Sequence, residues 1–380
     1  MPEQAICNAR LVLADEEIHG SLLLRDGKIA DVNSGPSSTR SALDVDGDFI
    51  IPGLVELHTD NLERHIMPRP KSYWPVQAAV FNHDRELTAA GITTVFDALS
   101  VGHADTGSRS SILLEEMSCA VSTLNARGSL KAEHFMHWRC EVSCRDIMAL
   151  LEPLMANSRT ALVSIMDHTP GQRQFASVDT YFNYYKAKYG FSDSEMRAYM
   201  NRRCEDHQLY AQSNRRAVVR QAHARDLAIA SHDDATQDHV SEAVEDGVVV
   251  AEFPTTIEAA RASHENGLAV LMGAPNVVRG QSHSGNVSAR ELAELGYLDI
   301  LSSDYVPFSL LYGATLLEKT VDRITLPQAI AAVSRNPARK VGLNDRGEIA
   351  PGKRADLVRY RLDGDLPSVK EVWREGARIA

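Results

Sequence analysis

Along most of this chain, short apolar runs alternate with longer stretches of helical character. The first run, 49–57, is broken by Pro52-Gly53. Seven more follow at 92–98, 133–142, 161–166, 227–231, 248–253, 269–273 and 299–303. The stretches between them, among them 112–126, 236–245, 256–266, 289–295 and 327–333, carry helical patterning. Strands alternating with helices build a parallel sheet, because parallel neighbours need a crossover connection. Eight such units over about 290 residues suit a closed (β/α)8 barrel. An open doubly wound sheet is the alternative, and the lack of a G-x-G-x-x-G glycine fingerprint after any strand weighs against it.

The two ends read differently. Residues 9–13, 21–24 and 28–32 are short strands, and Asp26-Gly27 marks a hairpin turn. The end echoes the beginning with 355–362, 369–373, a turn at Gly376, and 377–380. The expected organisation is a small β domain from 1–55 and 346–380, flanking a barrel at 56–345. Two separate terminal hairpins are the other reading.

Barrel enzymes place their chemistry at the carboxyl ends of strands. The first run ends in His58-x-Asp60, and alternation along a strand puts both side chains on one face. His137, Arg139 and Glu141 share one parity on the third strand. Asp167-His168 ends the fourth, His232-Asp233-Asp234 the fifth, and Asp304 the eighth. A single histidine is more often a satisfied core residue. Three at strand ends, His58, His168 and His232, accompanied by carboxylates, point to a metal site. Imidazole and carboxylate donors without thiolate suit Zn, Mn, Fe or Ni. The set His58, Asp60, Glu141, His168, His232 and Asp304 is large enough for two divalent ions. Glu141 is the candidate bridge, since no lysine falls at a strand's carboxyl end and Lys131 precedes the third strand. Such ions would bring a water's pKa toward about 7, with Asp304 as ligand and proton acceptor.

Positive charge gathers at the same loops. Arg69 and Lys71 follow the first strand, Arg139 lies on the third, and Arg173 opens the long segment 169–225. After the seventh strand, 273–286 carries Arg279, His283 and several glycines, in a place where barrels often bind phosphate. The segment 169–225 holds ten Lys or Arg against five Asp or Glu, interleaved with aromatics. It reads either as a lid over an anionic substrate or as a solvated helical hairpin. The hairpin would pack on the barrel or against a neighbouring subunit of a homo-oligomer. The local excess matters because net charge is −11, which disfavours nucleic acid as a partner and leaves an anionic ligand to be attracted locally. Five cysteines without a CxxC pair fit a reducing cytoplasm. No signal peptide and no membrane-length apolar run is visible.

The motifs ELHTDNL (56–62), PRPK (68–71), MDHTPGQRQF (166–175), SHDDAT (231–236), AEFPTT (251–256), MGAPN (272–276), RGQSHSGN (279–286) and LSSDY (301–305) carry a resemblance. The chain resembles the amidohydrolase superfamily, with Asp60 where the commoner pattern has a second histidine. That resemblance implies a (β/α)8 barrel with a small β-sandwich from both termini, and a divalent metal centre. The motifs are most similar to a branch that hydrolyses a ribosyl 5-triphosphate to the 5-phosphate and pyrophosphate in the C–P lyase pathway of phosphonate catabolism. A C–N hydrolase (cyclic amidase or deaminase) on the same scaffold is the second reading. A non-catalytic assembly protein is the third, and the full ligand set weighs against it.

Overall fold

At Pro52-Gly53 the chain passes from one sheet to another, and the passage is tight. A Cβ on Gly53 would lie 2.3 Å from Thr93 Oγ1 and 2.9 Å from Asp356 Cβ, so only glycine fits without displacing them. The computed structural model describes residues 3–35, 41–69, 71–102, 111–173, 178–280 and 286–380.

Before the passage come β1 (Gln4–Val12), β2 (Glu17–Arg25), β3 (Lys28–Ser34), β4 (Leu43–Asp44) and β5 (Phe49–Pro52). After it come β6 (Leu54–Thr59), α1 (Asn61–Ile66), α2 (Val76–Ala89), β7 (Ile92–Val101), α3 (Ser111–Ala126), β8 (Glu133–Glu141), α4 (Ile147–Met155) and β9 (Thr160–Met166). Then α5 (Val178–Tyr189) and α6 (Asp193–His223) form the long insert. The alternation resumes with β10 (Ala228–His232), α7 (Gln237–Glu245), β11 (Val250–Glu252), α8 (Ile257–Glu265), β12 (Ala269–Gly273), α9 (Ala274–Arg279), α10 (Ala289–Leu295) and β13 (Ile300–Ser302). Helices α11 (Ser309–Thr320), α12 (Leu326–Ala331) and α13 (Arg335–Lys340) lead to β14 (Leu357–Asp363), β15 (Leu366–Arg374) and β16 (Ala377–Arg378).

Strands β6 to β13 form one sheet in sequence order, with every registered pair parallel. Its first and last strands meet at a parallel bridge between Thr59 and Asp304, so the sheet is a nearly closed eight-stranded barrel. Closure brings the ends of β6 and β13 side by side, and both carry predicted site residues.

The termini build a second, mixed sheet of eight strands, ordered β16-β15-β14-β5-β1-β2-β3, with β4 on β1. Strand β5 is parallel to β1 and antiparallel to β14, so it joins the chain's beginning to its end. Ile6, Leu11, Leu22, Ile29, Ile50, Leu357 and Trp373 bury one core there. The Asp26-Gly27 turn has φ of 51° and 77°, the left-handed pair that a two-residue hairpin requires.

The chain falls into two compact units. One comprises Met1–Asp97, Cys119–Phe135 and Leu271–Ala380. It holds the mixed sheet, β6, β13 and the end of β12. The other comprises Ala98–Ser118 and Met136–Val270. It holds β9 to β11 and the insert. In the insert, Tyr181, Tyr185, Met196 and Met200 make a core of their own, joined by Phe182, Tyr189, Phe191 and Tyr199. The aromatics interleaved with basic residues are therefore the packing of a helical hairpin. Ser192 and Glu195 close a capping box at the start of α6. Among the described residues, no helix is long and apolar enough to cross a membrane.

Candidate metal and active site

In the first unit, β6 delivers His58 buried and Asp60 partly exposed. Asp60 N–H donates to the Asp304 carbonyl at 3.2 Å, and Asp304 N–H donates to the His58 carbonyl at 3.2 Å. Thr59 Oγ1 adds a third tie to the Asp304 carbonyl at 2.7 Å. These bonds bring His58, Asp60 and Asp304 to one stretch of rim. Asp304 holds a φ of 55°. A non-glycine residue keeps that left-handed conformation only where its surroundings impose it. Behind them, the buried Glu56 carboxyl accepts the N–H groups of His58 at 2.7 Å and Ser303 at 2.5 Å. Burial outweighs these bonds and pushes Glu56 up to about 8.

In the second unit, β8 ends on Glu141, which is fully buried. Its carboxylate accepts from Ser143 Oγ at 2.6 Å, His168 Nδ1 at 2.8 Å and Arg203 Nη2 at 2.8 Å. His168 and His232 stand edge to face with ring centroids 5.7 Å apart. Asp233 lies beside both, 2.8 Å from His232 Nδ1 and 3.6 Å from His168 Nε2. Like Asp304, it holds a left-handed φ, here 58°. Burial opposes charge on His168, but the facing carboxylates of Asp233 and Glu141 override it and hold the imidazole up at about 9. Burial likewise opposes ionisation of Asp233, and His232 and His168 hold its carboxyl well below the usual range.

His168, His232 and Asp233 offer ligand atoms within 4.8 Å of one another, all buried. A ligating imidazole must be neutral. With both rings neutral, the buried carboxylates of Glu141 and Asp233 are accompanied by two guanidinium groups, Arg203 on Glu141 and Arg139 beside His232. Two imidazole nitrogens and a carboxylate oxygen converging at one buried point suit a transition metal ion. The residues present fit a metal.

The predicted cations are less uniform. Arg139 is buried on β8, with Nη2 3.5 Å from His232 Nε2. Arg173, also buried, pairs with Asp234 and lies 3.2 Å from Glu242. Arg69, Lys71 and Arg279 are exposed. His283 lies outside the described residues.

Three further rim residues escaped the sequence reading. Glu252 ends β11 buried and accepts from Ser164 Oγ at 2.6 Å, with His137 Nε2 3.9 Å away. The strand-end rule that found the others also reaches Glu252, which lies in the AEFPTT run. Arg203 and His207 come from α6, one turn apart. Arg203 binds Glu141, and His207 Nδ1 lies 2.6 Å from Asp167. Asp167 draws the His207 imidazole upward against partial burial. Only their i, i+4 spacing on a long helix signalled them.

A model of the amidohydrolase family matches residues 154–380. Over 376 residues the chain is 46% identical to the alpha-D-ribose 1-methylphosphonate 5-triphosphate diphosphatase of Escherichia coli (strain K12), covering 98% of this chain and 99% of that one. The chain belongs to the amidohydrolase family. Its fold also matches the solved structure of N-isopropylammelide isopropylaminohydrolase from Burkholderia multivorans, at 18% identity and a TM-score of 0.66, over 100% of this chain and 98% of that one. N-acetyl-D-glucosamine-6-phosphate deacetylase from Mycobacterium smegmatis matches at 16% identity and 0.65, over 99% and 100%. At such identities the likeness is one of fold.

Proposed function

We propose that this chain hydrolyses alpha-D-ribose 1-methylphosphonate 5-triphosphate to the 5-phosphate plus pyrophosphate, in the breakdown of phosphonates. The observation that carries this reading is the 46% identity to the Escherichia coli diphosphatase across nearly the full length of both chains. His58, Asp60, Glu141, His168, His232 and Asp304 would hold two divalent ions, with zinc first and Mn, Fe or Ni as the other candidates. The ions would supply Lewis acidity, which makes water a nucleophile near neutral pH and polarises a phosphoryl oxygen. Asp304 accepts the proton of the attacking water. Arg69, Lys71, Arg139, Arg173, Arg279 and His283 are the proposed contacts to the phosphates and the ribosyl group. Positive groups around a leaving pyrophosphate stabilise the charge that develops on it.

Phosphorus NMR of metal-loaded protein with the ribosyl triphosphate should show pyrophosphate and a 5-phosphate appearing together. Hydrolysis of cyclic amides or aminated bases in a parallel panel, with the triphosphate untouched, would favour a C–N hydrolase instead. The position of attack has its own assay. Pyrophosphate spreads charge over two phosphoryl groups and is the better leaving group, so in oxygen-18 water the label should enter the ribosyl 5-phosphate. Label in pyrophosphate would reverse the pose and set the basic loops around the ribosyl phosphate.

A further inference from the structure

A closed array of buried polar groups lies within the first unit. α2 contributes His83 and Asp84, β7 contributes Asp97 and β8 contributes His134, all fully buried. The distances assign the protons. Asp97 takes His83 Nε2 at 2.7 Å on one oxygen and His134 Nδ1 at 2.8 Å on the other. His134 Nε2 lies 3.3 Å from Asp84, which also accepts the N–H groups of Lys131 and Ala132 at 2.9 Å. His134 thus sits between two carboxylates and is held up at about 9 against the effect of burial. Burial lowers His83, which has one carboxylate neighbour. Its Nε2–H therefore donates to Asp97 and its Nδ1 accepts.

The donor to that Nδ1 is Asn61 Nδ2, at 3.2 Å. The same amide nitrogen donates to Glu86 at 2.9 Å. With both amide hydrogens committed, the Asn61 carbonyl is free to accept from Arg64 Nη1 at 3.1 Å. Arg64 Nη1 also reaches the backbone carbonyl of Tyr305 at 2.5 Å. Asn61 directly follows Asp60, and Tyr305 directly follows Asp304. One exposed guanidinium therefore ties together the residues just past two candidate ligands.

His83, Asp97 and His134 also satisfy the spacing for an ion. All four ring nitrogens and both Asp97 oxygens are already matched to hydrogen-bond partners, however, so the array is complete as a hydrogen-bonded structure. Its outward product is the fixed orientation of Asn61.

We propose that Arg64, oriented by Asn61 and the array behind it, is a positioning residue that sets the spacing of Asp60 and Asp304. The proposal rests on reading those two aspartates as metal ligands. Groups that orient metal ligands typically cost 10–100-fold in metal affinity or activity when removed. The experiment compares wild type, Arg64→Ala and Arg64→Lys. It reads zinc affinity of the metal-stripped protein by competition with a chelator, then kcat, KM and thermal midpoint. Arg64→Ala should weaken zinc binding and lower kcat by about tenfold or more, with KM and midpoint little changed because the side chain is exposed. Arg64→Lys keeps one donor and should recover part of both losses. Zinc affinity and kcat unchanged in Arg64→Ala would overturn the clamp, as would losses that follow a fall in the midpoint. Wild-type protein that takes up none of zinc, manganese, iron or nickel would overturn the ligand reading, and this proposal with it.

Discussion

Asp233 and Asp304 both hold left-handed backbone at strand ends, a conformation costing on the order of 1–3 kcal/mol for a non-glycine residue. Such strain collects where a side chain must be aimed; Asp304 is the proposed proton acceptor, and Asp233 lies beside His168 and His232. Asp304→Asn keeps the shape of the side chain and removes its capacity to accept a proton. Its kcat should fall by roughly 10²–10⁴-fold, with the circular dichroism spectrum retained. A kcat within tenfold of wild type would move the proton acceptor elsewhere. Glu141→Gln tests the bridge. Elemental analysis should find metal content falling from about two ions per chain to about one, with most activity lost. Unchanged metal content would remove Glu141 from the ligand set.

The cations divide by surroundings. Arg279 is exposed at the end of α9, so Arg279→Ala should lower kcat/KM, by about 2–4 kcal/mol if it meets the transition state, and leave stability alone. From sequence, Arg173 belongs to the same class, a loop residue whose charge outweighs its packing. Its burial between Asp234 and Glu242 changes the expectation. Removing one partner of a buried pair strands the other charge, so Arg173→Ala should also destabilise the fold by about 3–5 kcal/mol. Denaturant unfolding of the two variants separates these outcomes.

At the scale of elements, helix α6 lends three residues to the ends of β8 and β9. Arg203, His207 and Asn214 recur at helical spacing along it. Asn214 Nδ2 donates to the carbonyls of Val142 at 2.9 Å and Cys144 at 2.8 Å. The insert thus has two ends with separate jobs, an aromatic core that holds the hairpin and a polar face that meets the rim. At the opposite end of β8, Glu133 is bound by Arg346 at 2.7 Å and Arg354 at 2.5 Å. Burial works against its charge, yet the two guanidinium groups draw its carboxyl down to about 2. A carboxyl lowered by folding contributes stability above its unfolded pKa, and that contribution is lost as pH falls through the folded value. The loss here should run from about pH 4.5 down to about 2. Glu133→Gln should therefore lower the unfolding free energy at pH 7 by on the order of 2 kcal/mol and flatten the acid limb of the stability curve over that window. Parallel curves for the two proteins across it would remove the assigned role.

Over the whole molecule, what could be read from sequence was whatever local patterning encodes. The β/α alternation is a repeat, so the barrel followed from it, and so did the strand ends bearing His58, Asp60, His168, His232 and Asp304. The terminal strands were legible because Asp26-Gly27 must turn left-handed. What stayed hidden were partnerships between distant residues. Nothing in the local composition at Glu141 names Arg203, and nothing near His134 names Asp84. Arg173 looked free for the same reason, since its carboxylates lie some 60 residues away and carry no shared period.

The placing of β5 between β1 and β14 bears on how the chain is made. On a ribosome, β1 to β5 emerge first, and the strand that completes β5 emerges only after roughly 300 more residues, at ~5–20 residues per second. For tens of seconds the early strands expose an unpaired edge rich in apolar side chains, the kind of surface that invites aggregation and holding by chaperones. A nascent chain stalled before Leu357 should be cut by protease within its first 52 residues, while the released full-length protein resists there. The strands from Leu357 onward would then act as the latch of biosynthesis, committing the β1–β5 sheet only once they have been made.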